Sequence, residues 1–318
     1  MASPQAFNRW PILDLARGWA VVAMVVFHFT WDLSYFQLIS YDISTETSGR
    51  IAAHLIAGSF LFLSGVGLAL AHRGGLKTDA YLKRLGRIAL AAALVSVGTW
   101  FAMRDDWIFF GILHCIALTS LAALPFLGLP VWVIAGAAII SLAAPLVLNL
   151  PIFDAPWLYW LGLNTTLPRT NDYVPFFPWF GIVLTGVGLG RLALGSPLWR
   201  ARFEAPRAVK KLQFAGRHSL VIYLVHQPLM IGTLWLGLAA GDYVAGLSPS
   251  EGDFKRGCVV QCTAAGREAD FCAATCGCVV EKMRGTSVIG GDGSSPENSQ
   301  RVAEAVALCV GTATPPPQ

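Results

Sequence analysis

Four ionisable residues lie along one apolar stretch of the chain, Pro11 to Tyr35: Asp14, Arg17, His28 and Asp32. On a helix, about 100° of turn per residue brings all four to one face, and a rise of about 1.5 Å per residue sets Arg17 and His28 roughly 16 Å apart. Imidazole is the side chain best suited to take up and return a proton near neutral pH. A carboxylate four residues on can orient the ring and stabilise its charged form. His28 with Asp32 therefore reads as a base with its orienter, the arrangement of acyl-transfer chemistry; hydrogen bonding across a helix bundle is the plainer alternative. Arg17 suits bidentate capture of a phosphate. Its other reading is an ion pair with Asp14 or snorkelling to an interface.

A second polar series lies in GRHSLVIYLVHQPLM. Tyr223, His226 and Gln227 fall inside an apolar run, where polar groups need partners on neighbouring helices, and all three are substrate-binding candidates. Arg217 and His218 stand at the start of that run, either contacting an anionic co-substrate or anchoring the interface. His114 in FFGILHCIAL is a further substrate-side candidate. So are Asp172 and Trp179 in NTTLPRTNDYVPFFPWFG, which mixes the hydrogen-bonding and stacking groups that suit a sugar. An aromatic belt at a membrane surface explains Trp179 equally well. His54 reads as a packing residue and Cys115 as a small buried hydrophobe.

These residues need elements to carry them. With 55% hydrophobic and 13% charged residues, against about 25% charged in ordinary soluble domains, the chain is expected to be a polytopic membrane protein. Apolar runs near 12–35, 51–71, 85–102, 108–127, 131–148, 175–194 and 219–240 predict about seven transmembrane helices in an all-α bundle. Orientation follows from the basic connections, which stay cytoplasmic. Arg73, Lys77, Lys83, Arg84 and Arg87 fill the second connection, and Arg191, Arg200, Arg202, Arg207, Lys210, Lys211 and Arg217 fill the sixth against Glu204. The N-terminus is then inside and the C-terminus outside. No short apolar stretch with a small-residue cleavage site precedes the first run, so that helix is expected to serve as its own targeting signal. The net charge of +4 lies mostly in the two basic connections, where anionic headgroups or an anionic co-substrate are the expected partners and nucleic acid is not.

After about Ser248 the composition turns polar, Gly-rich and Cys-rich. The chain is therefore divided into a membrane domain, 8–240, and a tail, 249–318. Cys258, Cys262, Cys272 and Cys276 form a twin C-x-x-x-C pattern that, on two antiparallel helices, sets Cys258 facing Cys276 and Cys262 facing Cys272. Cys278 and Cys309 remain as a third pair, although six cysteines allow fifteen connectivities. An outward tail favours disulfides over zinc, since it has no histidine and sits in an oxidising compartment. No metal is expected, and the closing TPPPQ is expected to be disordered.

Six segments in order, LDLARGWAVVAMVVFHFTWDLSYF, SFLFLSGVGLAL, IFFGILHCIAL, PWLYWLGL, DYVPFFPWFG and GRHSLVIYLVHQP, resemble a bacterial member of the heparan-alpha-glucosaminide N-acetyltransferase catalytic-domain family, over roughly residues 8–240. More distantly, R-G with a histidine eleven residues after the arginine, and a late Y-L-x-H, resemble the membrane acyltransferase-3 group. The resemblance implies an enzyme of the bacterial inner membrane, with a periplasmic or extracellular tail. It would move an acyl group, acetyl first among candidates, from cytoplasmic acyl-CoA to a hydroxyl or amine of a glycan or small sugar outside. It implies His28 as the catalytic histidine, acting as general base or transient acyl-imidazole, and Arg17 on the donor side. The family's H-A-x-W loop segment has no counterpart in STETSGRIAAH. A proton-coupled transporter and a non-catalytic scaffold are the alternative readings.

Overall fold

The computed structural model describes residues 10–193, 206–286, 288–289 and 296–313. Of the sequence readings, those on Arg200, Arg202 and Glu204 and on the TPPPQ end lie outside the described residues. The described chain is all-α: α1 (Pro11–Tyr35), α2 (Thr47–Ala71), α3 (Thr78–Ala102), α4 (Ile112–Ala122), α5 (Val131–Val147), α6 (Phe176–Ala193), α7 (Arg207–Arg217), α8 (Ser219–Val244), α9 (Pro249–Ala264), α10 (Ala269–Met283) and α11 (Pro296–Ala313).

Five helices, α1, α2, α3, α6 and α8, are long and apolar enough to cross a membrane, and α4 and α5 are shorter apolar helices. All seven apolar runs thus carry a helix, five of them candidate spans and two shorter, α5 at 17 residues and α4 at 11. The 11 residues of α4 rise only about 16 Å, half of a hydrocarbon core about 30 Å thick. Gly111 starts α4, and Leu124–Leu127, with Pro125 in its first turn, continues the chain as a tighter 3-10 helix. In contrast, α3 begins at Thr78, well ahead of the expected residue 85, so Lys83, Arg84 and Arg87 are helical rather than loop residues.

The chain forms two compact units, Met1–Met24 with Ile51–Val225, and Val25–Arg50 with His226–Gln318. The boundary falls inside both α1 and α8, so each of these helices gives its first part to one unit and its second part to the other.

In the first unit, Leu61 and Leu68 of α2, Ile134 and Ala138 of α5, and Val183, Leu184 and Val187 of α6 make the core. Two glycines let α2 and α6 approach to backbone contact. A methyl on Gly65 would strike the Val183 carbonyl, and one on Gly186 would strike the Phe62 carbonyl. Small residues at such crossings are how apolar helices gain packing where lipid removes the hydrophobic driving force. The same device seats α7 on the start of α1, where Gly216 abuts the Asp14 carbonyl and Gly18 abuts that of Leu212.

In the second unit, α9 to α11 pack Val279, Met283, Val288, Ala305 and Cys309 into a core of their own. Three disulfides tie it, Cys258–Cys276, Cys262–Cys272 and Cys278–Cys309. The first two are the facing pairs that antiparallel helices require, and the third joins the two remaining cysteines.

Gly65→Ala or Gly186→Ala should cost about 1–3 kcal/mol by overpacking a backbone contact, read as a lower apparent Tm of the purified protein. Gly136→Ala, where no atom lies within 4 Å of the added methyl, should leave the Tm unchanged or slightly higher.

Candidate functional site

The second unit gathers four of the polar side chains singled out from the sequence. The rings of His28 and His226 lie with centroids 5.0 Å apart, tilted by 60°. One turn further along α1, Asp32 is fully buried at 0% exposure. Its Oδ1 accepts a hydrogen bond from Gln227 Nε2 at 2.6 Å. Asp32 Oδ2 and Gln227 Oε1 are also buried, and neither has a hydrogen-bond partner among the described residues. Asp32 therefore engages Gln227, and among the described residues no hydrogen bond joins it to His28, as the four-residue spacing alone suggests. Helical spacing brings side chains to one face, but the bond goes to the neighbouring helix that carries a donor. Pro228 follows immediately within α8; lacking an N–H, it gives nothing back to the carbonyl four residues earlier.

A separate cluster sits in the first unit. Arg17 Nη2 donates to the Leu63 carbonyl at 3.4 Å, and Arg84 Nη2 donates to Ser64 Oγ at 3.2 Å. The two guanidiniums are close enough to feel each other's charge. Asp14 lies within electrostatic range of Arg17, yet among the described residues neither arginine enters an ion pair within 4.0 Å. Beside them the buried Tyr81 hydroxyl has no hydrogen-bond partner among the described residues. Gly67 leaves room for the Arg17 head, because a methyl there would press on Nη2. Like charges on apolar helices repel across a low dielectric, so each guanidinium here sits in the field of the other. Sequence reasoning missed Tyr81, Ser64 and Arg84. Tyr81, Arg84 and Ile88 recur at helical spacing, the signal that α3 starts before residue 85.

The remaining candidates are committed elsewhere. His114 Nδ1 accepts from the Gly111 backbone N–H at 3.2 Å, which puts the proton on Nε2 for donation to Ser96 Oγ at 3.2 Å. Ser96 in turn donates to the Ile108 carbonyl at 2.6 Å. Asp172 Oδ2 accepts from the Ile112 N–H at 2.9 Å, capping α4. Burial pushes the Asp172 carboxyl up to about 6, opposed by that backbone bond and by the Tyr223 hydroxyl, which donates to it. Tyr173 donates to the Tyr159 carbonyl at 2.7 Å and to Asn164 Oδ1 at 2.6 Å, and burial pushes its hydroxyl up to about 12. Trp179 stacks on His54 at 5.7 Å. Arg217 and His218 are exposed and bond within α7, Nε to the Gln213 carbonyl at 3.4 Å and Nδ1 to that of Phe214 at 2.9 Å. His114, Asp172 and Tyr223 thus knit α3, α4, α8 and the loop before α6, apart from the histidine pair.

Residues 9–228 match the family model described as heparan-alpha-glucosaminide N-acetyltransferase, catalytic. No curated protein and no solved structure matches the chain. The matched stretch covers more than half of the sequence and includes every residue of the histidine pair, the Asp32–Gln227 contact and the guanidinium cluster, leaving the cysteine-rich tail outside. On that match the chain belongs to the heparan-alpha-glucosaminide N-acetyltransferase catalytic-domain family, whose members are membrane acetyltransferases.

Proposed function

We propose that this protein transfers an acetyl group from acyl-CoA, acetyl-CoA first among donors, to an amine of a glycan or small sugar across the bacterial inner membrane. The observation that carries the reading is the cluster of His28, His226, Asp32 and Gln227 within one compact unit, two of its buried acceptor oxygens lacking a partner among the described residues. A buried polar atom without a partner costs about 1–3 kcal/mol. Asp32 Oδ2 and Gln227 Oε1 together call for a ligand group with at least two donor hydrogens. An amine supplies them and a single hydroxyl supplies one.

His28 acts as the base. As the amine nitrogen bonds to the thioester carbonyl carbon, His28 takes a proton from that nitrogen; the carbon–sulfur bond breaks, and the proton leaves with the thiolate as free thiol. His226 lies against His28 and shares the developing charge. Asp32 and Gln227 hold the amine, a role that replaces orientation of the His28 ring. The guanidinium cluster fits the donor's phosphates: Arg17 and Arg84 offer them charged donors, and the Tyr81 hydroxyl gains an acceptor. The basic connections support placing that cluster on the cytoplasmic side, with the N-terminus inside and the tail, 249–318, outside membrane domain 8–240.

In vesicles supplied with labelled acetyl-CoA and an amino sugar, His28→Ala should lower transfer by about 10²-fold or more, and full retained activity would remove it from the chemistry. Asp32→Asn should raise the acceptor KM while leaving donor binding intact; equal loss towards amine and hydroxyl acceptors would overturn the preference for an amine.

Arg84→Gln should raise the donor KM about tenfold, the equivalent of about 1.4 kcal/mol, with kcat within about threefold. It should also abolish the thermal stabilisation that CoA confers on the native protein. An unshifted donor KM with intact CoA stabilisation would place the phosphates elsewhere.

A further inference from the structure

The family match ends at residue 228, yet the same compact unit that holds the histidine pair also holds the described residues after it. The joint between them is specific. Asp242, in the last turn of α8, is only 8% exposed. Arg256 of α9 grips it with Nη1, at 2.9 Å from Oδ1 and 3.0 Å from Oδ2, and reaches Asp253 with Nη2 at 2.5 Å. Gly252, one turn earlier on α9, lies where any side chain would collide with the Asp242 carboxylate. The next residue after Arg256 meets the other catalytic helix: Gly257 faces the Gln37 side chain, two residues beyond the end of α1. Gln37 sits in the left-handed region at φ 57°, a conformation that a non-glycine residue holds only when its surroundings fix it.

One helix therefore touches the C-terminal ends of both helices that carry the chemistry. That helix is itself stapled. Cys258 and Cys262 tie α9 to α10, Cys278 ties α10 to α11, and Arg284 Nε at the end of α10 bonds Glu251 Oε1 at the start of α9, at 2.8 Å. The buried Asp242–Arg256 pair is two-sided: with both partners present it is tolerated, and with one removed it leaves a buried charge unpaired. Asp242 lies sixteen residues past His226, about 24 Å along α8. A misplacement of about 1 Å between reacting groups is enough to cost about 10²-fold in rate.

We propose that the disulfide-stapled tail is a clamp for the acetyl-transfer step, with Asp242, Arg256 and Gln37 as positioning residues that hold α1 and α8 in register so that His28 faces His226. It rests on the function proposed above only for its activity readout. The donor residues Arg17 and Arg84 belong to the other compact unit, so the clamp acts on kcat rather than on donor binding.

Two readouts test this on the full chain in lipid vesicles. The first is kinetic: Asp242→Asn should lower kcat about tenfold or more with the donor KM within about twofold, and Arg256→Lys should restore part of what Arg256→Gln loses. The second needs no activity. Spin labels on His28→Cys and His226→Cys, with the buried Cys115 replaced by alanine, should show strong dipolar broadening that weakens when Asp242→Asn is added or when Cys258 and Cys276 are both replaced by alanine. Should Asp242→Asn not fold, Gly257→Leu, which wedges α9 away from Gln37, takes its place in both arms. Unchanged broadening in these variants would overturn the clamp even if no acetyl transfer is found. Loss of broadening without any transferase activity would support the clamp while sinking the proposed reaction. A parallel fall in kcat and donor affinity with Tm, broadening unchanged, would make the tail a passive stabiliser and overturn the proposal.

Discussion

A carboxylate with no exposed surface in the last turn of an apolar helix needs a hydrogen-bond donor from elsewhere in the fold. Asp32 is that carboxylate and Gln227 Nε2 is that donor, and the pairing fixes how the second halves of α1 and α8 face each other. His28 lies one turn before Asp32, and His226 is the neighbour of Gln227, so the bond that satisfies the acid also brings the two imidazoles to 5.0 Å. Position in the fold, not proximity in sequence, then decides the partner: the acid is engaged by an amide on another helix rather than by His28.

The guanidinium cluster obeys the opposite rule. Arg17 and Arg84 are brought together on α1 and α3 without an acidic partner within ion-pair distance among the described residues. Like charges held this close on apolar helices repel across a low dielectric.

Much of this was legible in the sequence, and what was not has a common cause. The apolar runs marked all seven apolar helices, because hydrophobicity over a window is a local property. The twin C-x-x-x-C pattern marked two disulfides, because i and i+4 on antiparallel helices leave one facing arrangement. The side chains of the histidine cluster were each visible as ionisable or amide groups out of place in apolar runs. Their pairing was not: i, i+4 spacing joins Asp32 to His28 on paper, whereas the bond crosses 195 residues to Gln227. Arg84 was misplaced because charge lowers window hydropathy at a helix end, so α3 was started late and its inward arginine counted as a loop charge. The clamp left no local signature at all, since Asp242, Arg256 and Gln37 are unremarkable until the chain is folded.

The short α4 shows how irregular backbone is accommodated in the first unit. Non-helical chain must find partners for its backbone polar groups outside any helix ladder. The residues flanking α4 find them within the protein. The Asp172 carboxylate takes the Ile112 N–H, Val174 N–H donates to the Phe110 carbonyl and Asn171 N–H to that of Asp106, and Thr170 donates to the Trp107 carbonyl. His114, bonded on both ring nitrogens, pins the start of α4 to α3 through Ser96. A lone histidine and an acid near the end of an apolar helix look like chemistry in one dimension. In three they are the donors and acceptors that fasten an 11-residue helix to its neighbours.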